Sequence, residues 1–455
     1  MFDFSNNSKH KFCLSAVPVN HNISGFESVN EPYKIFNNTF NQYNIVLSKE
    51  VDYNELFRSL TKFIGNQTKN SFDVCLASFL AIVDKYEYES IIAVIVDALQ
   101  YASVIPYTQN KNRLENDPKH NLVITNEYEN IVQEYLVVAK DKTFARKLQD
   151  MPSNIINPGG FEKMMVDHLD GLENVKITVL NQDKLRAKQM NLLLAVGAGC
   201  QKPDDLTRLI IVEYTPNKSS SQKVGFVGKG VCFDTGGLNI KTGNYMRWMK
   251  YDMSGAAIVG SLIHSLAINK IKTNVVVAMP LVLNLAGSSS YRPDDVLLAH
   301  NGLSVEIDNT DAEGRLIMAD SLSYLAKECK ATEIYDIATL TGAMIYALGD
   351  TYTGVWTNKE EMWYNIQTSA NKAGELVWRL PFHHDFKDLL KSKFADIVNS
   401  VSDPRGGSSR AAMFLKQFTH DLPYAHFDVA GTADKGDVGT GIMLHTFYNM
   451  MKNKQ

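Results

Sequence analysis

An α/β fold in two parts is predicted: a mixed α/β N-terminal domain, then a larger C-terminal domain with a mostly parallel central sheet flanked by helices. Three observations predict it. At 455 residues the chain exceeds what one hydrophobic core usually organises. In its later part, continuous apolar runs alternate with helical patterns, and runs apolar on both faces suit strands covered on both sides. Between the parts, MPSNIINPGG (151–160) stops a helical pattern, since its prolines and glycines cannot extend a helix.

The first domain is placed at 1–128. It carries the short apolar runs NIVLS, VCLASFLAIV and IIAVIVDAL, then a polar stretch, YTQNKNRLENDPKHN, that reads as a loop. A connecting helix is expected over 129–150, with Ile131, Tyr135 and Val138 at i, i+4 and i+7. The second domain, 151–455, holds the strand-like runs RLIIVEY, KVGFVG, TNVVVAMPLV and EIYDIATL. One helix is marked by Val259, Leu262, Ile263 and Leu266, another by Met318, Leu322, Leu325 and Cys329. In such sheets reactive groups gather at the carboxyl ends of strands. The stretch IDNTDAEGRL (307–316) is expected at such a place, after the strand-like LSVEI and before the second helix.

Composition narrows the partners. The net charge is −4, and no long basic run exists to track a phosphate backbone, so nucleic acid is not the expected partner. No segment reads as a secretory leader or a membrane span, and a cytoplasmic protein without membrane contact is expected. Five scattered cysteines without C-x-x-C spacing read as reduced thiols.

Two charged clusters stand out. Asp311 and Glu313 are two apart, so in extended backbone both carboxylates point the same way and repel unless a cation sits between them. A solvated acidic turn is the alternative for that motif alone. Upstream, VGKGVCFDTGGLNIKTGNYMRWMKYDMSGAA places Lys229 between glycines after a strand, Asp234 before Thr-Gly-Gly, then Lys241 and Asp252. Glycines at a strand end let backbone bend and admit a ligand closely. A phosphate-binding loop fails on both sides, since position 223 is Lys and Gly230 stands where a hydroxyl residue is required; H-E-x-x-H and G-x-S-x-G are also absent. What remains is carboxylate-rich, a donor set suited to divalent ions that activate water.

These residues resemble the leucine aminopeptidases, also called cytosol aminopeptidases. NTDAEGRL (309–316) is that family's signature octapeptide, and VGKGVCFDTGG, Ile240-Lys241, MKYDMSGAA, DIATLTGA, VWRLPF, LKSKFADIVN, GGSSRAAMFL and HFDVAG follow in family order over roughly residues 140–445. The first 130 residues match loosely, and the tail VGTGIMLHTF departs from the family pattern.

The resemblance implies a site with two divalent metal ions, Zn²⁺ or Mn²⁺ with Mg²⁺ and Co²⁺ also compatible. Asp234 and Glu313 would bridge them, Asp311 would complete the more exchangeable one, and Lys229, as a neutral amine, with Asp252 the tighter one. A metal-bridging hydroxide would attack the first peptide bond. Lys241 would favour the oxyanion, and Arg315 would hold a bicarbonate that acts as general base. Met249, Thr339, Gly342, Ala430 and Ala433 would line the pocket for the first side chain, with backbone around Leu340 and Gly342 holding the peptide. Many members carry a larger residue, often Met, where Ala433 falls, which implies a roomier pocket. Expected partners are peptides with a free N-terminus and further copies of the chain in a homohexamer. A catalytically silent scaffold would have lost a ligand, and none is lost; a nucleic-acid-binding oligomer runs against the acidic balance.

Overall fold

The computed structural model describes residues 2–20, 31–39, 41–67, 70–110 and 119–455. They form two compact units, 1–143 with 368–375, and 144–367 with 376–455.

In the first unit the strands are β1 (Asp3–Ser5), β2 (Phe12–Pro18), β3 (Ile35–Thr39), β4 (Gln42–Leu47), β5 (Phe72–Cys75) and β6 (Asn121–Val123). Among the described residues they make one sheet in the order β1-β6-β5-β2-β4-β3, parallel except for β3 against β4. Helix α1 (Tyr53–Gly65) starts where Asp52 accepts a hydrogen bond from the Glu55 N–H, and it buries Leu56, Leu60 and Ile64, a spacing of four that makes one stripe. NIVLS lies mostly in β4, whereas VCLASFLAIV divides between β5 and helix α2 (Leu76–Leu80). IIAVIVDAL lies within helix α3 (Tyr88–Ser103), which is buried along almost its whole length. A run apolar on all sides fits a covered helix as well as a covered strand, and here length decides for the helix. Of the stretch expected as a loop, 111–118 lie outside the described residues, and Asn121 already belongs to β6. Helix α4 (Glu129–Asp150) begins in this unit; its Lys142 is buried against Asp97 of α3 and Glu375, at 2.8 and 3.3 Å.

The second unit opens on α5 (Pro158–Leu169). Asn157 caps it by accepting from the Gly160 N–H, and Pro158 occupies the first turn, so NPGG serves as a helix start. Then follow β7 (Val175–Leu180), α6 (Gln182–Ala187), α7 (Asn191–Val196), β8 (Arg208–Tyr214), β9 (Val224–Gly228), β10 (Gly230–Asp234), α8 (Ser254–Ile268), β11 (Val275–Asn284), β12 (Val296–Leu298), β13 (Ser304–Glu306), α9 (Gly314–Lys327), β14 (Glu333–Ala338), α10 (Gly342–Leu348), β15 (Thr353–Thr357), α11 (Glu360–Ala373, counted with the first unit from 368 on), β16 (Val377–Arg379), α12 (Asp385–Asp388), β17 (Ile397–Val398), α13 (Gly407–Lys416) and β18 (Tyr424–Asp428), with α14 (Leu444–Lys452) near the end.

The large sheet runs β16-β15-β18-β14-β9-β11-β8-β7, with β10 also on β11. Its centre, β18-β14-β9-β11, is parallel, and β11 is buried at every position. RLIIVEY is strand β8 but pairs antiparallel with β11 and β7. An antiparallel strand next to a parallel core is as fully covered as its neighbours, so its apolar run carries no sign of direction. The expected helices are α8 and α9, and Val259, Leu262, Ile263, Leu266, Met318, Leu322 and Leu325 are all buried; Cys329 lies past the end of α9. LSVEI contains β13, which belongs to a separate small sheet, β12-β13-β17, and not to the central one. Among the described residues all five cysteines are free, and no helix is long and apolar enough to cross a membrane.

Candidate metal centre

Four chain segments converge at the carboxyl ends of the central strands. Lys229 is the single residue between β9 and β10. Its N–H donates to the Ile337 carbonyl of β14 and its own carbonyl accepts from the Ala256 N–H of α8, which fixes the bend. Asp234 closes β10, Asp252 lies in the turn just before α8, and Glu313 stands at the N-cap of α9. A carboxylate at a helix N-terminus is favoured by the helix dipole, which offsets part of the cost of burying Glu313.

Lys229 Nζ lies 2.8 Å from Asp252 Oδ1 and 2.9 Å from Glu313 Oε1, and it donates to the Thr339 carbonyl at 2.9 Å. Lys241 Nζ lies 2.8 Å from Asp234 Oδ2 and 2.6 Å from Asp311 Oδ1. Six expected site residues therefore form one linked cluster, and Lys229, Asp234, Asp252 and Glu313 are each at most 5% exposed. Asp234, Asp252 and Glu313 each offer an oxygen within 4.8 Å of the others. Asp252 Oδ2 and Glu313 Oε2 are buried and have no hydrogen-bond partner. A buried carboxylate oxygen without a partner is costly, and here that cost is concentrated on neighbouring groups.

The electrostatics follow. Burial, then repulsion from Asp234, holds the Glu313 carboxyl well above the usual range; burial, opposed by Lys229, raises Asp252, and burial with Asp234 raises Asp311. Burial disfavours the Lys229 ammonium, but Asp252, Glu313 and Asp234 outweigh it and raise its pKa. The protein groups by themselves thus favour a charged lysine. The neutral amine implied by the family resemblance requires a cation's charge to replace that proton.

Small residues and buried polar groups hold this arrangement. A Cβ on Gly314 would stand 2.6 Å from Lys229 Cε and 2.7 Å from Nζ, so a larger residue there would push the end of the lysine out of its present place. Gly236 and Gly237 have φ of +85° and +62°, and their turn carries the chain from Asp234 toward Lys241. Asn284, at the end of β11, donates to Asp234 Oδ1 and to the Thr310 carbonyl. Thr310 Oγ1 donates to the Gly236 carbonyl and accepts from the Asn239 N–H, which ties the two charged motifs together. Asn399 accepts from the Asp308 N–H and donates to the Asn309 carbonyl. Sequence reasoning gave no role to Asn284, Thr310 and Asn399, although Thr310 stands inside NTDAEGRL and Asn399 ends LKSKFADIVN; the only signal of Asn284 is a polar residue beside an apolar run.

Arg315 lies in the first turn of α9, where a cation opposes the dipole. Its Nη1 donates to the Asn399 carbonyl at 2.6 Å, its buried Nε has no partner, and burial lowers its pKa to about 10. The expected pocket residues differ in partners and in exposure. Thr339 touches the charged cluster itself, donating from Oγ1 to Asp252 at 2.8 Å. Asp428 Oδ1 accepts from the Leu340 and Ala430 N–H groups, and Asp428 Oδ2 accepts from Thr341 Oγ1; sequence reasoning missed this link. Gly342 is exposed, Met249 is half-buried, and Ala433 is fully buried with its carbonyl accepting from Gln149 Nε2.

A cluster of acids and lysines at strand ends, buried and short of positive charge, marks this as an α/β protein with a carboxylate-rich centre of hydrolase type. Comparison with known proteins gives the family. Residues 143–448 match the model of the cytosol aminopeptidase family, catalytic domain. A probable cytosol aminopeptidase of Mycoplasma pneumoniae is 44% identical over 403 residues, 87% of this chain and 88% of that protein. One of Mycoplasma genitalium is 42% identical over 90% of each, and the cytosol aminopeptidase of Encephalitozoon cuniculi is 39% identical over 74% of this chain and 70% of that one. The bottromycin maturation enzyme BotP, in a structure with Mn, shares the fold with a TM-score of 0.85 at 24% identity, over 98% of this chain and 100% of its own. The chain belongs to the cytosol aminopeptidase family, and with that membership it is an aminopeptidase, a hydrolase of peptide bonds.

Proposed function

We propose that the protein is a two-metal, cytoplasmic aminopeptidase that removes the first residue, Leu or another hydrophobic one, from peptides with a free amino group. The observation that carries this reading is the pair of partnerless buried oxygens, Asp252 Oδ2 and Glu313 Oε2, within a cluster of acids. Oxygen donors with one amine fit divalent ions such as Zn²⁺, Mn²⁺, Mg²⁺ or Co²⁺. Asp234 and Glu313 would hold both ions, Asp311 one, and Lys229 with Asp252 the other. When bound, such ions supply Lewis acidity and acidify water toward neutral pH.

The chain's own groups do the rest. Lys241, already held between Asp234 and Asp311, places positive charge where a carbonyl oxygen gains negative charge. Arg315 offers a buried, unsatisfied Nε to an anion, which fits the bicarbonate expected there as proton acceptor. Asp428 holds the backbone at Leu340 and Ala430, so the segment proposed to bind peptide is set before substrate arrives. Met249, Thr339, Gly342, Ala430 and Ala433 are proposed to line the first pocket, and Ala in place of a larger residue at 433 favours bulky first side chains. A homohexamer without nucleic-acid partners completes the reading.

The test is cleavage of Leu-Gly against N-acetyl-Leu-Gly by chelator-stripped protein, before and after Zn²⁺ or Mn²⁺ is restored. Metal-dependent release of leucine from the free-amine substrate alone supports the proposal. Folded, metal-binding protein that cuts neither substrate defeats it. Comparable rates on Leu, Phe and Trp substrates support the roomy pocket, and a strict Leu preference contradicts it.

A further inference from the structure

A second cluster of metal-binding side chains lies outside this centre, on the turn that leads into α12. His383, His384 and Asp385 each offer a ligand atom, all within 4.8 Å of one another. His383 Nδ1 stands 3.4 Å from Asp385 Oδ2, and His384 Nε2 stands 3.2 Å from Asp385 Oδ1. Ligand atoms bound at roughly 2.0–2.1 Å to a tetrahedral ion are separated by about 3.3–3.4 Å, and each histidine nitrogen stands at about that spacing from a different oxygen of the Asp385 carboxylate. As hydrogen bonds they are long, and the N–H of Asp385 reaches His383 Nδ1 only at 3.4 Å.

The turn is anchored on both sides. Phe382 and Phe386 pack against the main hydrophobic core of this unit, and Leu390 is buried in it. The Phe386 N–H donates to the His383 carbonyl, and the Lys387 N–H to that of His384. A Cβ on Gly406 would stand 2.8 Å from the Phe386 ring, so the ring sits closely on the start of α13. The imidazoles are tilted 36° to one another with centroids 4.1 Å apart and stay open to solvent, with side chains 55% and 78% exposed. An anchored backbone with exposed ligand atoms is preorganised for an ion arriving from solution.

We propose that His383, His384 and Asp385 form a peripheral binding site for a zinc-like transition-metal ion, with one nitrogen from each histidine and the Asp385 carboxylate as ligands and water completing the set. Two imidazoles and one carboxylate select Zn²⁺, Ni²⁺ or Cu²⁺ over Mn²⁺ and Mg²⁺, which prefer all-oxygen sets. The site differs in donor type from the carboxylate centre, and its ion is bound independently of the aminopeptidase reading.

Equilibrium dialysis of the full chain against Zn²⁺ alone tests it, comparing the native protein with a His383→Ala, His384→Ala double variant. The native protein should bind about one more Zn²⁺ per chain than the double variant. The same comparison with Mn²⁺ should show no difference, and Asp385→Asn should weaken the extra site at least tenfold. With Co²⁺, the visible absorption of a tetrahedral ion should be lower in the double variant. Equal Zn²⁺ counts in the two proteins, with matching circular dichroism and thermal midpoints, would overturn the proposal; so would an equal loss of Mn²⁺. Because Glu313→Gln removes a group of the other centre and none here, it should leave the extra Zn²⁺ in place, so failure of one site is distinguishable from failure of the other.

Discussion

Each unit buries lysine against acid, and the two clusters differ in what they leave unsatisfied. In the first unit, Lys142 serves Asp97 and Glu375, and neither acid leaves a buried oxygen without a partner. In the second, Lys229 and Lys241 serve four carboxylates, and Asp252 and Glu313 each keep an orphaned oxygen. The second cluster thus sets four carboxylates against two lysines and leaves two oxygens open. Burial alone does not mark a functional centre. A surplus of negative charge that the fold itself leaves open does, because only a further cation completes it.

Substitution in both clusters gives the sharpest test. Glu313→Gln should lower kcat by at least about 1,000-fold and reduce bound metal, with the fold kept. Lys142→Met should instead cost about 3–5 kcal/mol of stability, because two acids lose their buried partner. Activity per folded molecule should hold. Urea unfolding with kinetics below the midpoint reads both; an inactive but stable Lys142→Met protein would break the distinction.

Smaller effects refine it. Lys241→Ala should lower kcat by about 100- to 1,000-fold with KM little changed, as for loss of one oxyanion partner, and steady-state kinetics on Leu-Gly would show it. A matching rise in KM alone would assign Lys241 to binding. Gly314→Ala forces Lys229 to move and should cost about 100-fold in kcat/KM. If it is silent, Lys229 is not needed where it stands.

The pH response should be the mildest and should have opposite signs. Burial lowers the pKa of His120, in the first unit, to about 4, so the unfolded chain binds the proton more tightly. Its contribution to stability is present above the ordinary histidine pKa near 6.5 and is lost as pH falls toward 4. Glu313 is raised, so in chelator-stripped protein its contribution is present below the ordinary carboxylate range and lost as pH rises above it. Hydrogen exchange followed by segment should show 119–123 loosening in acid and 311–316 in alkali, with Zn²⁺ abolishing the second trend. Each should shift local stability by on the order of 1 kcal/mol per pKa unit.

Legibility in the sequence followed the range of the interactions. Helices α4, α8 and α9 and strands β8, β9, β11 and β14 were readable because their apolar spacing is local. The direction of β8 and the separate sheet of β13 were not, since pairing is decided by residues far along the chain. Within the candidate centre, the acids and lysines stand in dense motifs and were readable. Asn284, Thr310, Asn399 and Asp428 were not, because each acts by reaching a segment distant in sequence.

Thr339 joins two tasks in one residue: its carbonyl accepts from Lys229, its hydroxyl donates to Asp252, and its neighbour Leu340 lies on the backbone proposed to hold peptide. On that reading, ion choice and substrate choice share a hinge. Exchanging one loaded metal for another should then reorder the ranking of first residues as well as rescale the rates. Anyone evolving this scaffold toward a new cleavage preference would have to hold the metal supply constant, or the selection would drift along an axis nobody chose.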